Sequence, residues 1–504
     1  LHIKGNLSKF GKTLAENMEV LHHILQIALQ YYWIPLLILY IGVIGTILIE
    51  NRNPSKTIAW IMVIVFLPII GLLIYYFFGQ KFKKVKRMKR VYREQSKKLM
   101  DAWRKESEIM EEHIDTLNER IGSLAMVYRY LKNQKISTFS LNNDVTLFIN
   151  GEEKFPVLID ELKAAQHSIH MEYYIWEMDE IGQEILHILE EKAKTGVTVR
   201  LILDSFGAPD VIKYLRRHKP DFAFQAFLPV TFSSLANSNY RNHRKIAVID
   251  GKTGFVGGIN ISDRYINNGK NEIYWRDTAM MVVGAAVNTL QIQFWNSWNQ
   301  TEAESFELGR GYLNRFPLTD EDASGVGFTA SDPGSPAPFN MEAIIAGINE
   351  AKEYVQLCTP YFIPSDQLTT ALMLAVSSGV RVDLMLPAQS DSFFVQHASF
   401  SFIKPLLERG VNVYLYKKGF LHAKTICIDG KLAYIGTTNL DIRSFYINFE
   451  ISGIVSDKAL CDRLNAQFLA DIEVSDLITI RRWMQRSRWK RGVDSICRLL
   501  APLL

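Results

Sequence analysis

Cysteine is scarce in this chain. The four present, Cys358, Cys427, Cys461 and Cys497, are widely spaced and form no C-x-x-C pair. That spacing provides neither a disulfide framework nor a zinc-ligand pattern, and it fits a reducing compartment. An excess of charge of one sign is nearly missing as well. Lys and Arg total 57 against 53 Asp and Glu, a net +4, and neither a long basic groove nor a nucleic-acid-binding motif is legible. Charge of either sign is absent from two stretches near the start. None falls between His23 and Glu50, and none between Thr57 and Gln80.

Each of these uncharged runs exceeds the roughly 20 residues that cross a bilayer core. Tyr31, Tyr32 and Trp33 flank the first run, and Tyr75 to Phe78 close the second, as interfacial aromatic belts do. The first run is too long for the apolar part of a signal peptide. The pattern predicts an N-terminal segment, residues 1–80, with a transmembrane hairpin at about 24–49 and 57–79, turning at Pro54. Residues 81–90 (KFKKVKRMKR) greatly outweigh Arg52 and Lys56 in positive charge. The positive-inside rule then predicts a two-span protein of the cell membrane with its catalytic part in the cytoplasm. The same basic cluster would attract anionic headgroups. Residues 81–135 read as a basic juxtamembrane connector, helical by the spacing of Met100, Trp103, Ile114, Leu117, Ile121 and Leu124, and expected to pack on the next domain.

From about residue 136 short apolar runs alternate with helix-like stretches. Residues 168–176 read as a buried strand, 184–196 as a helix closed by Gly196, and 197–204 as a strand. The order recurs as 354–363, 367–379 closed by Gly379, and 380–387. Such alternation predicts an α/β architecture with a parallel or mixed sheet under helices. Residues 136–305 form one half and 341–504, with a basic tail, the other. The Gly-, Pro- and Ser-rich stretch 306–340 joins them.

The two halves share a polar signature. His243, Lys245, Asp250, Gly251, Gly257 and Asn260 recur as His422, Lys424, Asp429, Gly430, Gly436 and Asn439, with 250−243 = 429−422 = 7 and 260−243 = 439−422 = 17. A His and Lys two apart on a strand share a face. Each Asp-Gly pair reverses the chain and returns the Asn beside its His. If the halves pack about a pseudo-twofold axis, six polar groups meet at one point. That set suits a phosphodiester. Lys245 and Lys424 supply positive charge, Asn260 and Asn439 supply amide donors to the phosphate, and this stabilisation requires no metal or other cofactor. One imidazole attacks phosphorus while the other donates a proton to the leaving alcohol. Asp250 and Asp429 complete the candidate catalytic set, although they suit the turns better than the chemistry. A carboxylate beyond each Asn, Asp277 and Glu450, is placed to orient its histidine, at unequal distances from the two Asn.

The signature H-x-K-x(4)-D-x(6)-G-x-x-N, present twice, resembles that of the phospholipase D superfamily. Within it the chain resembles bacterial cardiolipin synthases, on residues 51–80, NYRNHRKIAVIDGKTGFVGGINI, FLHAKTICIDGKLAYIGTTNLDIRSFYINFE and the closing RLLAPLL. The resemblance implies a duplicated phospholipase D-like fold and no metal cofactor. It implies a reaction in which one phosphatidylglycerol gives its phosphatidyl group to an enzyme histidine, glycerol leaves, and a second phosphatidylglycerol takes the group to form cardiolipin. It also gives the nucleophilic role to His243 and the acid/base role to His422. The small hydroxyl residue sometimes found two before the first Asn is Gly258 here, whereas Thr437 keeps it in the second copy.

Two further stretches suit a lipid substrate: the aromatic segment 222–240, a candidate acyl-chain entrance or core segment, and residues 481–491, where Trp483 and Trp489 interleave with arginines as on an anionic membrane surface. The competing functions are a hydrolase of phospholipid or nucleic acid with the same site, and a scaffold with a retired site. The expected partner is phosphatidylglycerol in an anionic lipid surface, not nucleic acid.

Overall fold

The computed structural model describes residues 33–49, 54–75, 113–134, 139–229, 239–270, 272–301 and 323–501, with isolated positions elsewhere. The basic run 81–90 and residues 230–238 lie outside them. Residues 1–80 and 81–504 form two separate compact units.

The N-terminal unit corrects the expected transmembrane hairpin. Its described helices are Trp33–Ile49, Pro54–Phe66 and Pro68–Ile74. Among the described residues no helix is long and apolar enough to cross a membrane. The second apolar run breaks in its middle. Leu67 leaves the helical region at φ −123° and ψ 72°, because Pro68 has no N–H and disfavours helical backbone in the residue before it. The two-span transmembrane topology fails on this finding, and so does the cytoplasmic placement argued from it.

In the larger unit the duplication is plain in the sheets. One sheet runs Asn143–Ile149, Thr278–Gly284, Thr253–Gly257, Lys245–Ile249, Ser168–Tyr173, Thr198–Asp204, Ala223–Phe227. The other contains the same order as Gly325–Ser331, Glu450–Ser456, Leu432–Gly436, Thr425–Ile428, Tyr354–Cys358, Arg381–Pro387, Asn412–Tyr416. In both, three neighbouring strands at one side are parallel and the rest antiparallel, so the sheets are mixed. The strand Gly325–Ser331 falls inside the stretch read as the joint.

The second sheet gains an edge strand at each side, Phe139–Ser140 and Ser475–Ile478. Phe139–Ser140 precedes the strands of the first sheet in sequence, yet it pairs antiparallel with Gly325–Ser331. Ile114, Leu117, Ile121 and Leu124, from the expected helical connector, are buried in the core of the second half. The strand and connector thus tie the two halves together. A shared core of Val256, Met280, Ala433, Ile435 and neighbours seals the interface between the halves.

Aromatic segment 222–240 begins as an edge strand, Ala223–Phe227, with Phe227 buried. That part is sheet and core.

Candidate active site

The two copies of the signature converge. Each histidine precedes a central strand, Lys245–Ile249 or Thr425–Ile428, and each Asn follows the returning strand, Thr253–Gly257 or Leu432–Gly436. His243, His422, Asn260 and Asn439 line one cavity of about 350 Å³. All four are buried. Lys245 and Lys424 are buried beneath them, each donating from Nζ to the carbonyl of its own histidine, His243 (2.7 Å) and His422.

Asp277 and Glu450 are topologically equivalent. Gly257 pairs with Ala279 and Gly436 with Ser452, so each acid lies two residues before the matched position, 279−277 = 452−450 = 2. Their unequal distances from the Asn, 277−260 = 17 against 450−439 = 11, reflect an insertion of 17−11 = 6 residues in the first half.

The pairing is crosswise, and this corrects the expectation that each acid serves its own half. His243 Nδ1 lies 3.0 Å from Glu450, and His422 Nδ1 lies 2.6 Å from Asp277. The backbone supports the exchange. His243 N–H donates to the Phe449 carbonyl (3.0 Å), and His422 N–H to the Arg276 carbonyl (2.7 Å). Gly419–Leu421 also pairs in parallel with Tyr274–Arg276 across the halves. A carboxylate on Nδ1 fixes the tautomer with the proton there and leaves Nε2 as the basic nitrogen.

Thr437 donates its hydroxyl to Glu450. The first half has no room for such a hydroxyl, because a Cβ at Gly258 would sit 2.2 Å from Asp277 Oδ1. Asp277 accepts the Thr278 N–H (2.7 Å) instead.

Burial dominates the electrostatics. It pushes His422 down to about 3, with Lys424 adding to the shift and Asp277 opposing it. Burial also lowers His243, against Glu450. Lys424 falls to about 8 and Lys245 well below the ordinary lysine value, both through burial. Burial alone would raise Asp277 and Glu450. The facing histidines and lysines outweigh it and hold both carboxyls below their ordinary values. The site therefore pairs ionised acids with neutral imidazoles, and burial weakens the hold of its lysines on their protons.

Asp250 and Asp429 stand at the far ends of the strands, on the turns. Both have positive φ, 51° and 54°, and each precedes a glycine at 62°, the geometry of a tight hairpin turn. Asp250 accepts the N–H groups of Gln166, His167 and Ser168, and Asp429 those of Lys352, Glu353 and Tyr354. They pin the hairpin to the start of the neighbouring strand and do not line the cavity.

Several cavity residues escaped the sequence reading. Arg264 and Arg443 follow the two Asn at the same offset, 264−260 = 443−439 = 4, and both line the cavity. That repeat was a readable signal. Arg264 is ion-paired with Glu177, while Arg443 donates to the carbonyl and side chain of Asn239. The two walls differ. Phe420 and Trp275 sit 5.7 and 5.6 Å from the His422 ring. The matching positions beside His243, two before each histidine and each acid, are Arg241 and Asn448. Asn448 Nδ2 donates to Glu450 (3.1 Å). Among the described residues, the buried Oδ1 atoms of Asn439 and Asn448 have no hydrogen-bond partner.

Two mixed α/β halves with paired His-Lys-Asn sets around one cavity define the phospholipase D-like class. The pattern described as "Cardiolipin synthase, PLD-like domain" matches residues 158–298 and 344–472, and the "Phospholipase D-nuclease N-terminal" pattern matches residues 38–80. The chain is 36% identical to a cardiolipin synthase of Oceanobacillus iheyensis, over 92% of this chain and 96% of that one. It is 38% identical to a cardiolipin synthase of Geobacillus thermodenitrificans, over 90% of each. The chain belongs to the cardiolipin synthase family of phospholipase D-like enzymes, and it is a phosphatidyltransferase. Among solved structures, phosphatidylserine synthase of Haemophilus influenzae shares the fold, with a TM-score of 0.58 and 15% identity over 75% of this chain and all of that one.

Proposed function

We propose that the enzyme makes cardiolipin and glycerol from two phosphatidylglycerol molecules through a covalent phosphohistidine. The observation that carries this reading is the pair of crosswise histidine–carboxylate contacts opening on a single cavity. In the first step Nε2 of His243, the nucleophile that the family likeness implies, attacks phosphorus. The P–N bond forms, the P–O bond to glycerol breaks, and protonated His422 gives its proton to the departing oxygen. In the second step a hydroxyl of the acceptor lipid loses its proton to the now neutral His422 and attacks phosphorus, releasing His243.

Burial favours the neutral form of both histidines in the protein alone. The phosphodiester's negative charge is what draws in the proton that the acid role needs. Lys245 and Lys424 stabilise the equatorial oxygens as charge develops there, with the amides of Asn260 and Asn439 beside them. Asp277 and Glu450 hold the rings and stabilise the imidazolium. The unpartnered Oδ1 atoms of Asn439 and Asn448 suit a polyol headgroup, which brings hydroxyl donors to them.

Purified enzyme in mixed micelles with labelled phosphatidylglycerol is expected to yield cardiolipin and free glycerol, with no loss on adding a chelator. His243→Ala and His422→Ala each abolish turnover without altering the circular dichroism. Release of phosphatidic acid alone would make the enzyme a phospholipid hydrolase.

A further inference from the structure

Large exposed apolar side chains gather where the cavity meets solvent. The helix Phe393–Ser401 begins at the cavity, since Asp391, Ser392 and Val395 all line it. Its first two residues, Phe393 and Phe394, are 60% and 53% exposed. Phe206, also exposed, covers the guanidinium of cavity-lining Arg241 at 4.7 Å. A lone exposed apolar residue is ordinary, but three phenylalanines around one opening are not.

The helix Arg488–Leu499 is fastened to Phe393–Ser401. His397 Nδ1 meets Asp494 at 2.7 Å, and Cys497 packs with Ala398 in a small core. The outward face of this helix shows Trp489 (80% exposed) and Ile496 (65%) one heptad apart. Arg488, Lys490 and Arg498 lie beside them, all exposed. Trp483, the other tryptophan of the basic tail, does not share this face. It is buried against Phe400 and Arg486.

We propose that Phe393, Phe394, Trp489 and Ile496 form one docking face that settles on a bilayer of anionic phospholipid, with the cavity mouth at the headgroup layer. The choice of occupant rests on the phospholipid reading of the site and on charge. Apolar tips ringed by lysine and arginine match an interface that is apolar within and negative at its surface. A protein partner would not explain why the face adjoins the cavity that a lipid headgroup must enter. Nor does nucleic acid account for Ile496, whose aliphatic tip offers no surface for a base to stack on.

The four native cysteines are buried, so a thiol introduced at the surface of the full-length protein can be labelled selectively. An environment-sensitive dye on Phe394→Cys is expected to shift to the blue with vesicles of phosphatidylglycerol and phosphatidylcholine, and much less with phosphatidylcholine alone. The same dye on exposed Glu184→Cys, on the helix Glu180–Lys194, is expected to stay unmoved. Equal shifts at both positions, or a shift at residue 394 with RNA and none with vesicles, would overturn the proposal.

A second measurement uses glycerol release. F393S/F394S and W489S/I496S are expected to lose about tenfold or more on vesicles and less than about twofold on monomeric short-chain phosphatidylglycerol. Equal losses on both substrates would refute the docking face. The dye shift is read without catalysis, so a wild type that releases only phosphatidic acid, or acts on no lipid, removes the transferase reading and leaves the docking result standing.

Discussion

At His243 the ring nitrogen facing the backbone is committed to a carboxylate from the other half, and the remaining nitrogen is committed to the chemistry. The commitment is testable one residue at a time. Glu450→Gln keeps the shape but removes the charge that favours the Nδ1–H tautomer, and it is expected to cut kcat by about 10²–10⁴. In nitrogen NMR the same change should move the His243 ring signals and leave those of His422 nearly in place, while Asp277→Asn does the reverse. Signals moving within one half would dismiss the crosswise pairing. The sequence reading drew its ten candidate residues mostly from repetition at fixed offsets. It missed the exchange of acids because offsets reveal which strand holds a carboxylate, not which histidine faces it. The arginines at 264 and 443 were equally countable. They lie four residues beyond each Asn, outside the signature.

Elements explain why the signature includes residues outside the chemistry. Asp429 gathers three backbone N–H groups at the tip of the hairpin between Thr425–Ile428 and Leu432–Gly436, and Asp250 does the same in the first half. Hydrogen bonds to a charged acceptor contribute about 1.5–3 kcal/mol. Asp429→Ala is expected to lower the unfolding free energy by roughly that amount, read by urea denaturation, while activity at low temperature survives. A folded variant of unchanged stability but without activity would return Asp429 to the catalytic set. Helix and strand order were legible from apolar periodicity and from the capping glycines. Gly196 and Gly379 do take positive φ, 92° and 90°. Hydropathy misled at residues 57–79, since it counts apolar residues and is blind to a backbone that breaks at Leu67–Pro68.

For the whole molecule, the main consequence of enclosure is a site whose protonation depends on what occupies it. Lys424 ionises at about 8 in the folded chain against an ordinary 10.5. Between those values the unfolded chain holds a proton that the folded chain lacks, so this group adds stability as pH rises through the window, while its positive charge disappears above about 8. His422 runs from about 3 folded to an ordinary 6.5, so stability falls as pH drops from 6.5 towards 3. Because kcat/KM reports the free enzyme, its pH profile is expected to carry an alkaline limb near pH 8. A profile flat to pH 10 would show that Lys424 keeps its charge without substrate. The assembly around the site was only partly foreseeable. Strand order follows from duplication, but the loan of Phe139–Ser140 to the second sheet leaves no mark in local pattern. The crosswise acids also bear on ancestry. A solitary repeat would own an imidazole and a carboxylate that cannot reach each other, so any single-repeat forerunner had to work as a pair of identical chains. Once fused, neither copy could decay alone, because losing either acid disarms the opposite histidine.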